Sequence, residues 1–323
     1  MPNNVMVTRR SETRAGTAFK GYLLVIGAAC GWATVGVLVK QIRLNYAPTP
    51  ITLAFWRDFL TFVVMITALG LFDRSLLRVK RQDLLPLAGL GVICVGLFHV
   101  LVIYAVDLIG VAPAHVFNYT APAFVVLLSW CLWREPITRR KVAALALTFA
   151  GSVFVVKGYD WSQFRLNGVG MLVGLGTGIT WGVYAILSKL YLERYNPFTL
   201  VTYAFGLAAI TLLLPQPLRT LSFPWSQPAH FWLWLGLLVL VPSVAAFCLY
   251  TWALSYLSPS AAIITATVET VLAAMLAFLA FGDVLAPLQA LGAGLVLCGV
   301  VILSARERYP GIREAEGQRR SGV

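Results

Sequence analysis

Five ionisable side chains fall inside long apolar runs: Arg57 and Asp58 of "FWRDFL", His99, His115 and Glu269. Holding such a group at the depth of a hydrocarbon layer costs from about 2.5 kcal/mol upward, so these residues should face a protein interior or water. Glu269, near the middle of its run, fits either a proton or substrate-ammonium site or a protonated packing group. Arg57 and Asp58 are consecutive and therefore about 100° apart on a helix, so they need not pair with each other. A structural ion pair with another segment and a coupling role both remain open for them. His99 and His115 fit interior hydrogen bonds or cavity lining. Neither lies in a carboxylate or cysteine pattern that would hold a metal.

Aromatic residues form the second constellation. Trp32, Tyr104, Tyr119, Trp181, Tyr184, Tyr203 and Tyr250 lie within apolar runs, whereas membrane Trp and Tyr concentrate at the water interfaces. An interior Trp also needs a partner for its N–H. Thr177, Thr180, Trp181, Tyr184 and Ser188 follow helical steps and make one amphipathic stripe. With Trp32 from an earlier run, and Asn118 and Tyr119 opposite, they could line a central site or simply pack helices. Such a wall suits a zwitterion, because aromatic faces attract an ammonium and amide or hydroxyl groups hold a carboxylate.

The elements that must carry these residues are membrane helices. Of 323 residues 59% are hydrophobic and only 12% charged, and the mean hydropathy is +0.81, which leaves too little polar material to coat a soluble domain. Uncharged runs of about 20 residues recur, each long enough to cross a ~30 Å layer. Continuous apolar blocks fit helices rather than the alternating strands of a barrel. We expect ten spans, at 21–42, 50–72, 84–106, 110–133, 141–157, 168–190, 197–214, 230–255, 260–281 and 286–304, separated by prolines such as Pro50, Pro136, Pro197, Pro259 and Pro287. Polar tails are expected at 1–20 and 305–323. The five cysteines lie in apolar runs without CxxC spacing and read as packing residues.

The formal charge of +12 has a pattern. With the N-terminus in the cytoplasm, 19 of 25 basic residues fall in inner segments, five (Lys40, Arg43, Lys157, Arg165 and Arg219) in outer ones, and Arg57 within a span. That asymmetry predicts both termini in the cytoplasm, and it accounts for the charge without nucleic acid. The first span is longer than a signal-peptide apolar region, so retention is expected.

The chain also repeats itself. "ACGWATVGVLVKQ" at 29–41 is echoed by "GITWGVYAILSKL" at 178–190, "PITL" at 50–53 by "PFTL" at 197–200, and "YAVDLIGVAPA" at 104–114 by "WALSYLSPSAA" at 252–262. Offsets of 147 to 149 divide the chain into repeats at 21–157 and 168–304. Five spans per repeat is an odd number, so the second should enter the membrane from the opposite side. Two antiparallel halves can exchange conformations, and a cavity open to one side then becomes a cavity open to the other.

"GWATVGVLVK", "FWRDFL", "SPSAAIITATVETVLAAMLAFLAFGD" at 258–283 and its counterpart "APAHVFNYTAPAFVVLLSWCLWREPIT" resemble the drug/metabolite transporter superfamily, EamA type. The resemblance spans about residues 21–304. It implies an all-α ten-helix carrier without bound cofactor, exporting amino acids or related metabolites, with the aromatic amino acid exporters a nearby branch. One departure is Glu269-Thr270 where the family often has Glu-Pro, with Ala121-Pro122 at the first-half site. Helix distortion is therefore expected more in the fourth span than in the ninth.

Without a GxxxxGK[ST] loop or a clustered nucleophile and base, neither a primary pump nor an enzyme is indicated. The expected function is a secondary transporter of the inner membrane, acting as a monomer on a small molecule. A channel or uniporter for small polar solutes is the alternative.

Overall fold

The computed structural model describes residues 3–160, 162, 167–282 and 285–304, and among them every regular element is helical. Eight helices are long and apolar enough to cross a membrane: α1 (apolar part Thr17–Tyr46), α2 (Pro50–Phe72), α3 (Arg81–Ile109), α4 (Val111–Trp133), α6 (Gly168–Tyr191), α8 (Ala229–Ala253), α9 (Pro259–Phe281) and α10 (Pro287–Ser304). Two more, α5 (Arg139–Val155) and α7 (Pro197–Leu213), have 17 residues each. They are about 25 Å long, just short of a hydrocarbon layer, and α5 opens on the charged Arg139-Arg140-Lys141. Large apolar side chains such as Leu172, Leu279 and Val301 are exposed, as they are when lipid is the solvent.

The turn residues start helices. Proline opens α2, α7 and α9, where its missing N–H costs nothing. Thr49, Asn196 and Ser258 each cap the following helix by accepting a hydrogen bond from a first-turn N–H. Gly110, at φ 93°, makes the single-residue corner between α3 and α4 that a residue with a Cβ would adopt only under strain.

One expectation can be refined. Helix α1 begins at Asn3, and its part long and apolar enough to cross a membrane begins at Thr17; the tail at 305–323 and Arg165 lie outside the described residues. Helix distortion is not confined to the fourth span. α4 is interrupted at Tyr119–Thr120 and α9 at Thr267, 148 positions after Tyr119. In α4 the cause is Pro122, which removes one N–H and crowds the carbonyl four residues earlier. In α9 the hydroxyls of Thr267 and Thr270 bond back to the carbonyls of Ile264 and Thr267, competing with the backbone ladder.

π-helical stretches at Gly89–Leu97 in α3 and Val239–Ala245 in α8 mark a second pair of matching irregularities. Packing follows the same correspondence. α1 lies against α8 and α9, while α6 lies against α3 and α4. α5 and α10 pack together most extensively, and their contact needs glycine: a Cβ on Gly151 would sit 2.6 Å from the Gly292 carbonyl oxygen, and one on Gly292 equally close to that of Gly151.

Candidate functional site

The irregular backbone surrounds a cavity of about 200 Å³. Trp32 and Val35 come from α1, Arg57 from α2, and Phe98, His99, Val102 and Val106 from α3, just past its π-helical stretch. Ala114, His115, Asn118 and Tyr119 come from the first part of α4, up to its break, and Glu269 stands two residues past the break in α9. Pro242 and Ser243, in the π-helical stretch of α8, with Trp181 and Phe247 complete the wall. Helix interruptions thus turn polar residues inward at points where π-bulges and breaks commonly serve a function. Val106 and Ala114 lie near the Gly110 corner, so the cavity reaches toward that end of the bundle.

Its other end is closed by rings. Trp32 meets Trp181, Phe247 and Tyr250 with centroids 5.2–5.4 Å apart. Trp181 stacks on Tyr184 at 5.1 Å, and Phe205 meets Phe247 edge-on at 4.8 Å, geometries favoured by the ring quadrupoles. Tyr184 and Tyr250 are fully buried, and the Tyr184 hydroxyl lies 2.8 Å from Thr251 Oγ1. The Trp32 indole Nε1, expected to have a partner, has none among the described residues; nor has the Asn118 amide oxygen.

A charged cluster borders the cavity. Asp58 is wholly buried; its Oδ1 accepts from Arg57 Nε at 3.2 Å and its Oδ2 lies 2.7 Å from His99 Nδ1. An Arg57 guanidinium nitrogen also meets His99 Nε2. Arg57 therefore does pair with its chain neighbour, which the 100° spacing left open. A long side chain can fold along its helix, and a buried carboxylate requires the partner. Among the described residues no group of three His, Cys, Asp or Glu side chains could hold a metal ion.

Comparison with known proteins identifies the family of the chain. The model of the EamA-like transporter family matches the chain twice, over residues 19–157 and 168–305. The chain belongs to the EamA-like transporter family. It is 26% identical over 286 residues to an uncharacterized transporter of Archaeoglobus fulgidus, covering 87% of this chain and 95% of that one. It is 27% identical over 297 residues to the uncharacterized transporter YwfM of Bacillus subtilis, covering 91% and 96%. A probable terminal-alkyne amino-acid exporter of Streptantibioticus cattleyicolor is 24% identical over 249 residues, covering 76% and 82%. A solved crystal structure superposes with a TM-score of 0.69 at 21% identity, covering 88% of this chain and 99% of that one, which supports the fold. This EamA-family chain is a membrane transporter, not an enzyme, and carries a repeated EamA domain.

Within the EamA architecture, Trp32, His99, Asn118, Tyr119, Trp181, Glu269 and Arg57 all reach the one cavity. Tyr184 does not; it packs behind Trp181 in the ring cluster, and Asp58 lies behind Arg57. Sequence reasoning missed Phe98 and Phe247, although Phe247 stands 148 positions after His99, within the offset range of the repeat. On the far side of the ring cluster, Glu135 accepts from Lys141 Nζ at 2.6 Å and from the Ser260 hydroxyl at 2.8 Å. This ties the end of α4 to the start of α9. Lys189 Nζ donates to the carbonyls of Leu254 and Leu257, holding α6 to the end of α8.

Proposed function

We propose that this chain is a secondary transporter that exports amino acids or related small zwitterions across the cytoplasmic membrane by alternating access. The observation that carries the reading is one cavity bordered by both a guanidinium, Arg57, and a carboxylate, Glu269, over an aromatic floor. Opposite charges lining one cavity match the carboxylate and ammonium of a zwitterion, and the rings offer contact area to its side chain. The amino-acid exporter among the relatives supports the substrate class and the direction. Matching helix interruptions and reciprocal packing favour two inverted repeats, 21–157 and 168–304, of five spans each. In this arrangement all ten helices cross, the termini are cytoplasmic, the chain works as a monomer, and the cavity opens toward the outside.

The test is counterflow in proteoliposomes with a panel of amino acids, each beside its decarboxylated amine and its N-acetyl derivative. Saturable exchange of the amino acid, with both derivatives excluded, is the expected result. Equal exchange of the amine would remove Arg57 from recognition, and non-saturable flux would establish a channel. Cysteines placed in the 215–228 connection should react with impermeant reagent from outside while cysteines replacing Arg78 or Arg139 do not; the opposite pattern overturns the orientation.

A further inference from the structure

Two lysines at matching positions of the repeat are held in different ways. Lys40 and Lys189 stand 149 positions apart, each near the end of the first helix of its repeat, α1 and α6. Lys189 Nζ donates to the carbonyls of Leu254 and Leu257, at the end of α8 in its own repeat. Carbonyls at a helix end lack the N–H of a next turn and carry the negative end of the helix dipole, so an ammonium suits them. The Leu257 carbonyl is left for Lys189 because Ala261, four residues on, gives its N–H to Ser258 Oγ. Lys40 is placed otherwise: its Nζ lies 3.7 Å from the centre of the Phe281 ring at the end of α9, a cation–π contact.

The carbonyls that correspond to those of Leu254 and Leu257 belong to Val106 and Ile109, 148 positions earlier, at the end of α3. Their surroundings correspond too. A Cβ on Gly21 would sit 2.6 Å from the Leu257 side chain, and one on Gly170, 149 positions later, 2.5 Å from that of Ile109. Each third-helix end is thus seated on the first helix of the other repeat. Ile109 has Pro113 four residues on, which has no N–H to offer its carbonyl. The difference is in spacing: Val35 of α1 and Val106 of α3 both line the cavity, which therefore lies between these helices, whereas Lys189 joins α6 to the end of α8.

We propose that the two lysines are alternating latches: Lys189 holds the ring-filled end closed in the state seen here, and in the opposite state Lys40 leaves Phe281 for the carbonyls of Val106 and Ile109. Lys189 then moves to Trp133, which corresponds to Phe281 at 148 positions and ends α4, a helix packed on α6. Each state keeps one lysine on helix-end carbonyls and the other on an aromatic face, so neither is greatly favoured, as a two-state exchange requires. The inference rests on the reading of the chain as two inverted repeats that alternate.

Cys248, buried in the ring cluster, reports on the latched end. Its rate of labelling by a water-soluble maleimide is measured by peptide mass spectrometry in monodisperse full-length protein in lipid nanodiscs. Lys189→Met, which keeps the length and removes the donor, should raise that rate on the order of tenfold, the worth of a hydrogen bond to a charged group. Lys189→Arg should stay near the parent. Lys40→Met should lower the rate, and the double Lys40→Met/Lys189→Met variant should return toward the parent, whereas plain destabilisation by two substitutions would raise it further. A double-variant rate at or above that of Lys189→Met overturns the proposal. In a second arm, Lys40→Cys with Val106→Cys should be joined by a bis-methanethiosulfonate reagent of about lysine length, more in the Lys189→Met background than without it, and the joined protein should label fastest at Cys248. Amino-acid counterflow by the parent with Cys248 rates unchanged in both single lysine-to-methionine variants overturns the latches and leaves alternating access standing. Joining at positions 40 and 106 with Cys248 still protected means that the two ends move independently, which removes alternating access and the proposal with it.

Discussion

The two ends of the central cavity are built from corresponding positions of the repeat, and they are filled in opposite ways. Toward the Gly110 corner the wall carries Val35 and Val102, with Asp58 bonded to His99. The counterparts in the second repeat, within the same offsets of 147 to 149, are Tyr184, Tyr250, Phe205 and Phe247. Two valines face two buried tyrosines, and a polar pair in contact faces an aromatic pair in contact at 4.8 Å. Similar backbones, including matching π-helical stretches and helix breaks, thus enclose space at one end and ring carbon at the other. The asymmetry that a transporter needs in any one state is written here into side-chain volume and polarity.

The largest expected effect comes from erasing that difference. Replacing Tyr184 and Tyr250 together by valine should open the ring-filled end, at a cost of about 2–4 kcal/mol per ring if the site does not collapse. Cys248, buried in the same cluster, is the reporter: its labelling by a water-soluble maleimide, followed by peptide mass spectrometry, should rise from background in monodisperse protein. Unchanged labelling in folded double variant would sink the volume argument. The reverse pair, Val35→Tyr with Val102→Tyr, should fill the cavity and abolish exchange.

Charge is the next contrast, because Glu269 has Ala121 at the corresponding first-repeat position, and Ala121 is buried among apolar residues. Glu269→Gln keeps the shape and removes the titratable charge. If Glu269 exchanges a proton for the substrate ammonium, proton coupling should disappear and the pH dependence of exchange should flatten with little loss of protein. The same rate and pH profile in both proteins would assign Glu269 to packing and favour a uniporter.

These contrasts also show what was legible in advance. Helical spans followed from apolar length, and helix starts from proline with a Thr, Asn or Ser cap. Most cavity residues were visible because a polar or ionisable side chain in an apolar run needs a reason to be there. Tyr184 was misplaced because it lies on the same helical stripe as Trp181; a stripe gives the face toward the bundle but not the depth at which space ends. The break in α9 was underestimated because threonine hydroxyls do there what Pro122 does in α4, and threonine is a weaker mark in a sequence. Phe98 and Phe247 are ordinary apolar letters whose role emerges only when helices meet.

A smaller effect is expected at the boundary between the two regions. Trp181 touches both: it lines the cavity and stacks on Tyr184 and Tyr250. Trp181→Ala should raise the KM for a transported amino acid on the order of tenfold, as the loss of an aromatic contact with an ammonium implies. Phe at this position should recover most of it. Loss of inserted protein with unaltered KM would make Trp181 a packing residue.

The smallest effect concerns the ties beyond the ring cluster, which have a titratable member. Burial alone would raise the Glu135 carboxyl, but the Lys141 hydrogen bond and charge, helped by the hydroxyls of Ser258 and Ser260, outweigh it and hold the group below its ordinary value. A carboxyl depressed in the folded state stabilises above its unfolded value, near ~4.3, and that contribution is lost as pH falls through the folded value. Thermal stability of the parent should therefore be insensitive to Glu135 above about pH 5 and should decline below it. Glu135→Gln should cost about 1–3 kcal/mol near neutrality, the range for a hydrogen bond to a charged group, and that difference should shrink in acid, where the parent loses the same charge. A gap between parent and variant that stays constant from neutral to acid would show that Glu135 stabilises through shape and not through its charge on Lys141.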